Sequence, residues 1–341
     1  LTPLERISFT TCSIFSSRAL ETPLNSVVML VLEAVGLIAL HMGVEALLIS
    51  KVCAYGACII TMFARHRELS QALREKISKK VLGPILKYSA PLVPNTICWW
   101  VVNSSDRYII LFALGAAYNG IYSMSTKFPT ILTMVTSIFY LAWQETAIKE
   151  YNTPERDRFF SDIFQKYYVL LFSLCLCAIP ATRIVIELFV SDAFKDAWKY
   201  TGFLYLGASF SALCSFLGMG YQISKETARS LATTIFAAIL NFGVNIACVE
   251  FIGLQAASFS TFAAYLFLLI IRLRHSKRYF TLTICWKQFI ILFVASLLFM
   301  TLTFVVPNLW LCAAMTGIAV IILVKCNYEI IAPYMQKVIK R

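Results

Sequence analysis

Apolar runs of about twenty residues, separated by short polar or basic turns, recur from Leu24 to Val324. A helix rises about 1.5 Å per residue, so each run is long enough to cross a bilayer core of about 30 Å. The pattern predicts spans at 24–40 and 44–63, a hairpin of two spans within 87–151, and spans at about 166–189, 198–221, 230–249, 253–271, 288–306 and 309–324. Residues 7–17 are too short to span and read as the tail of a further helix, followed by a loop at 18–23. The basic segment 64–85 reads as an amphipathic linker along the membrane surface. The mixed charges of 144–165, with the turn signal Asn152-Thr153-Pro154, read as a solvated loop. The expected fold is all-α, a polytopic transmembrane bundle of about ten spans.

The central hairpin carries charge within its spans. Its two runs meet at a turn over Gly115–Gly120, with Arg107 ten residues before Ala117 and Lys127 ten after. In an antiparallel pair both cations then lie at the same depth, about 15 Å in, with Asp106 one residue deeper. Charges inside a membrane are costly and point to function by default. One reading is that Asp106 neutralises Arg107 or Lys127 and locks the hairpin. The other is that the second cation, left unpaired, lines a cavity. Glu33 and Lys51 are also level, on either side of the His41–Gly43 turn, and form either an ion pair or part of a cavity lining. Pro180 interrupts its span and should face neighbouring helices or water.

Composition agrees with a membrane protein: 59% of residues are hydrophobic and 14% charged. A net charge of +12 does not indicate nucleic acid here, because the basic residues punctuate apolar runs. They gather in alternate loops, at 65–87, 149–166, 225–229, 272–287 and 325–341, whereas the opposite loops hold only Lys195 and Lys199. This asymmetry places the long linkers and the C-terminus in the cytoplasm.

No enzyme signature appears. His41, His66 and His275 fall in turns or basic loops, without an HExxH pattern, and there is no GxSxG, Walker or GxGxxG sequence. Most of the eleven cysteines lie singly in apolar runs as small hydrophobes, so neither a metal nor a cofactor is expected. The Asn103-Ser104-Ser105 sequon lies inside a span and is accidental. Trp99 and Trp100, with Trp143, Tyr88 and Tyr140, are candidates for sugar stacking, although interfacial anchoring explains Trp143 and Tyr140 equally well. Adjacent helical residues project about 100° apart, so only one of Trp99 and Trp100 should face a cavity.

Three stretches carry a resemblance: Tyr88-Ser89-Ala90-Pro91-Leu92-Val93-Pro94-Asn95, Ser105-Asp106-Arg107-Tyr108-Ile109-Ile110, and Ala142-Trp143-Gln144-Glu145-Thr146-Ala147 continuing to Tyr151. In order and spacing they resemble the seventh and eighth helices of bacterial Wzx-type polysaccharide flippases. These belong to the superfamily that also holds the multidrug-and-toxin extruders. The resemblance implies two six-helix lobes in a V around a cavity, two extra C-terminal helices, and alternating access. On that numbering residues 1–63 are the remnant of the N-terminal lobe and 64–85 the linker. Residues 86–271 are then the C-terminal lobe, 272–287 a basic cytoplasmic loop, and 288–341 the extra spans and tail. Four further spans would complete the fourteen of the family, so the chain, which opens at Leu1, is expected to be a fragment that does not transport alone.

The resemblance implies translocation of a polyprenyl-diphosphate-linked oligosaccharide across a bacterial inner membrane, beside polysaccharide polymerase and chain-length proteins. Arg107, Lys127 and Lys51 would meet the diphosphate, with Asn95, Asn103 and Gln144 as neutral partners. Asp106 and Glu33 would serve in ion pairs or ion coupling. A cation-coupled multidrug exporter of the same fold would favour uncompensated acids, and the balance of charges in these spans points instead to an anionic substrate. A non-transporting scaffold of a glycan-assembly complex would tolerate neutralisation of Arg107 and Lys127.

Overall fold

The computed structural model describes residues 26–39, 43–65, 79–305 and 308–328. The stretches expected as a helix tail at 7–17 and a loop at 18–23, residues 66–78 of the linker, His41, and the tail from 329 lie outside the described residues. Among those residues there is no strand.

A first helix, α1, covers 26–34 and passes into a π-helical turn, Val35–Ala39. The others are α2 (Val44–Arg65), α3 (Lys79–Ser89), α4 (Leu92–Ala113), α5 (Ala116–Glu150), α6 (Arg156–Phe189), α7 (Thr201–Ile223), α8 (Thr227–Ile252), α9 (Gln255–Ser276), α10 (Trp286–Val305) and α11 (Leu309–Cys326). A 3₁₀ segment, Asp192–Tyr200, precedes α7.

The chain divides into two compact units, Leu1–Gly83 and Pro84–Arg341. In the first, the π turn packs on α2 where Gly36 meets Ala46; a Cβ on Gly36 would lie 2.7 Å from that of Ala46. In the second, α9 packs between α7 and α8, α8 packs on α4, and α5 on α7; α10 and α11 both lie against α6. The hairpin turn is tighter than the sequence suggests. Only Leu114 and Gly115 separate α4 from α5, and Gly115 takes φ +96°, a region nearly closed to residues with a Cβ.

Two segments expected to be solvated are helical. Residues 144–165 form a loop only at 151–155, because Lys149 pairs with Glu145 at 2.7 Å and Lys166 with Asp162 at 2.9 Å, each across one helical turn. The basic loop at 272–287 shortens to 277–285, and Arg272 becomes part of α9.

Six helices among the described residues are long and apolar enough to cross a membrane: α6, α7 with its 3₁₀ segment, α8, α9, α10 and α11. α4 and α5, of 22 and 35 residues, have spanning length but more polar sequences. Ten spans is therefore an approximate count. Pro129 and Pro180 are buried within α5 and α6, so neighbouring helices shield the backbone groups they leave free.

Aromatic rings fill the core of the second unit. Trp143 stacks on Phe216 with ring centroids 4.0 Å apart, meets Phe160 edge-on at 4.8 Å, and donates from Nε1 to the Phe216 carbonyl at 3.3 Å. It is a core residue, not the interfacial anchor that its place in the sequence suggests. Cys175, Cys214 and Cys312 are buried packing residues.

Candidate functional site

Asp106 lies on the inward face of α4 and is 1% exposed. Three neutral side chains hold its carboxylate. Tyr122 Oη of α5 donates to Oδ2 at 2.9 Å, Thr261 Oγ1 of α9 to the same oxygen at 2.6 Å, and Asn245 Nδ2 of α8 to Oδ1 at 2.7 Å. No basic residue among those described bonds to it. The lock between Asp106 and Arg107 or Lys127 is therefore not what the structure shows: adjacent side chains on a helix diverge by about 100°, which carries Asp106 inward and Arg107 out. Asn245 Oδ1, beside the carboxylate, is buried without a donor.

The polar interior continues from this carboxylate. Ser105 donates to Asn241 Oδ1 at 3.0 Å, and Asn241 Nδ2 reaches Ser260 and Thr261, each at 3.3 Å. Tyr265, one turn beyond Thr261, donates to Asn103 Oδ1 at 3.0 Å and stacks on Trp99 at 5.5 Å. Two turns further along α9, Arg272 is 2% exposed. Its guanidinium donates to the Cys214 carbonyl at 2.7 Å and Thr234 Oγ1 at 3.1 Å, and lies over the rings of Trp99 and Tyr221 at 5.6 and 5.7 Å. Gly218 makes room for it, since a Cβ there would sit 2.8 Å from Nη1.

Arg107 and Lys127 have the opposite setting. Both are exposed on the α4–α5 hairpin. Arg107 Nη2 donates to Oγ1 of Thr126, the residue before Lys127, at 3.2 Å, and neither cation has an acidic partner among the described residues.

A family model of polysaccharide biosynthesis proteins matches residues 14–140. No curated protein matches the sequence. Among solved structures, the lipid II flippase MurJ in an inward closed conformation aligns with a TM-score of 0.62 at 15% identity, over 93% of this chain and 68% of that one. The chain has a MurJ-like fold. The family match covers less than half of the chain, and the six apolar helices of membrane length, with the MurJ-like fold, support a multi-pass membrane protein.

Within this MurJ-like fold the other residues singled out by sequence are dispersed. Asn95 and Gln144 lie about 18 and 25 Å along their helices from Arg107 and Lys127. Both are half-buried, and Asn95 Oδ1 has no donor. Asn103 is exposed, with its amide accepting from Tyr265 and donating to the Trp99 carbonyl at 2.8 Å. Glu33 and Lys51 belong to the first unit and form no ion pair with one another; Lys51 is exposed. Of the two tryptophans, Trp99 turns inward and Trp100 is 58% exposed.

Sequence reasoning missed Tyr122, Asn241, Asn245, Thr261 and Arg272. The signal was there in α8: Thr227, Ser230, Thr234, Asn241 and Asn245 recur at spacings of three, four, seven and four, a polar stripe on one face of an otherwise apolar span.

Proposed function

We propose that the protein moves a polyprenyl-diphosphate-linked oligosaccharide from the cytoplasmic to the outer leaflet of a bacterial inner membrane, by alternating access, for surface polysaccharide assembly. One observation carries this reading. Arg107 and Lys127 are both exposed on the hairpin, ten residues either side of Ala117 and without acidic partners among the described residues, while Asp106 is turned into the bundle and satisfied by neutral donors. A diphosphate loses hydration on entering hydrocarbon, and that loss must be offset by charged or hydrogen-bonding groups. Arg107 offers a planar fork for two phosphate oxygens and Lys127 a point charge. Exposed Ile131, Met134 and Ile138 continue along α5 from Lys127, a surface against which the lipid chain stays in hydrocarbon.

The remaining roles follow from this path. Asn95 and Gln144 serve the sugar at other depths. Asp106, with the free Asn245 oxygen beside it, is the ion-coupling group. The basic loops and the C-terminus face the cytoplasm, and polymerase and chain-length proteins act on the product. Residues 86–271 form the second lobe and 288–341 the additional helix pair.

Deletion of the gene in its host tests the reading. Loss of surface polysaccharide, with lipid-linked units accumulating on the cytoplasmic side, is expected. Unchanged glycan with raised sensitivity to cationic drugs would instead favour a drug exporter.

A further inference from the structure

A cleft of about 530 Å³ opens where the start of α6, the start of α10 and the end of α11 meet. Its walls carry Asp162, Gln165 and Lys166 of α6, Gln288 of α10, Lys325 of α11, and Asn327 just beyond it. Most of these groups hold one another: Gln165 Nε2 donates to Gln288 Oε1 at 3.1 Å, and Lys166 Nζ donates to Asp162 at 2.9 Å. Lys325 is exposed to the cleft and has no acidic partner among the described residues.

Asn327 is the exception that points to a ligand. It is 1% exposed, and its Nδ2 donates to Ser173 Oγ and the Leu323 carbonyl, both at 2.9 Å. The Leu323 carbonyl only accepts, so the amide orientation is fixed and Oδ1 is left as a buried acceptor without a donor. Such an atom is costly unless something supplies a hydrogen bond. The cleft thus combines the Lys325 ammonium for an anion with one acceptor that wants a donor.

Its position identifies the occupant as amphipathic. Trp286 opens α10 and Tyr328 follows α11, and both are more than half exposed, as aromatic residues at a membrane–water boundary are. Away from them along the same two helices, Ile290, Ile291, Val294, Ile321 and Val324 are exposed and apolar. A ligand with a polar head in the cleft can therefore lay its chains on α10 and α11.

We propose that this cleft binds a phospholipid headgroup bearing a phosphate and a hydrogen-bond donor, the phosphate at Lys325 and the donor on Asn327 Oδ1. Ethanolamine and glycerol headgroups meet both requirements. Choline supplies the phosphate without a donor, and free phosphate lacks the chains. The site is separate from the hairpin cations and does not depend on the transported substrate.

The test is lipid retention by the purified full chain, read by native mass spectrometry and by thermal unfolding in detergent. The probes are phosphatidylethanolamine, phosphatidylglycerol, phosphatidylcholine and inorganic phosphate. Ethanolamine and glycerol lipids should bind about tenfold more tightly than the choline lipid, the worth of one hydrogen bond to a charged or buried partner. Lys325→Glu should remove most of the binding, and Asn327→Ala should erase the preference over choline while phosphate-dependent binding persists. Lys325 is exposed, so that variant reads the site even if Asn327→Ala does not fold. Equal retention of all three lipids, indifference to Lys325→Glu, or equal protection by inorganic phosphate would each overturn the proposal.

Discussion

Asp106 and Arg107 are neighbours in sequence and opposites in structure. The first is buried among hydroxyl and amide donors from three other helices; the second is exposed with one threonine contact. The contrast shows that counting charges within a span does not reveal which of them pair. A carboxylate inside a bundle can be satisfied without a cation if enough oriented dipoles converge on it, and a neighbouring cation is then left available for a ligand.

The largest effect that would break this contrast comes from removing the buried acid. Asp106→Ala orphans Tyr122, Asn245 and Thr261 together and should cost about 2–4 kcal/mol, read as a lower unfolding midpoint in detergent. Wild-type stability in that variant would show that the three bonds do not matter. Arg272→Met should come next, at about 1–3 kcal/mol, because the Cys214 carbonyl loses its donor and two rings lose their cation.

The exposed cations should behave differently. Arg107→Ala and Lys127→Ala should each reduce polysaccharide export about tenfold, with stability within about 0.5 kcal/mol of wild type, as for surface substitutions. Arg107→Lys should be milder, because charge survives while the fork is lost. A stability loss equal to that of Asp106→Ala would mean that these residues are structural.

Glu226 sharpens the comparison from outside the membrane. It accepts from Tyr279 at 2.7 Å, from Arg229 at 2.9 Å and from Arg278 at 3.5 Å. The Tyr279 hydrogen bond, then the two arginines, hold its carboxyl below the usual range. Its contribution to stability is therefore complete above the ordinary carboxylate pKa and is lost as pH falls through the lowered folded value. Unfolding midpoints measured down to pH 3 should show a small acid loss that Glu226→Gln removes and high salt weakens.

Much of the fold was legible because apolar runs of membrane length leave few alternatives. Helix boundaries were less so. The sequence does not announce that Glu145 and Lys149, or Asp162 and Lys166, will pair across one turn and carry helix through charged segments. The candidate site was legible in one half only. Arg107 and Lys127 stand out as charges in an apolar run, whereas Asn241, Asn245 and Thr261 gain meaning only when α8 and α9 bring them to Asp106. Arg272 misleads for the same reason: in the sequence it belongs to a basic loop, and only packing beside Gly218, Trp99 and Tyr221 buries it.

The most direct test of the central claim is complementation of a deletion strain with the Arg107→Ala, Lys127→Ala double variant. Membrane insertion and surface polysaccharide are measured together. The account predicts normal insertion, little surface polymer, and lipid-linked oligosaccharide accumulating on the cytoplasmic side. Normal surface polysaccharide from a normally inserted double variant would contradict it.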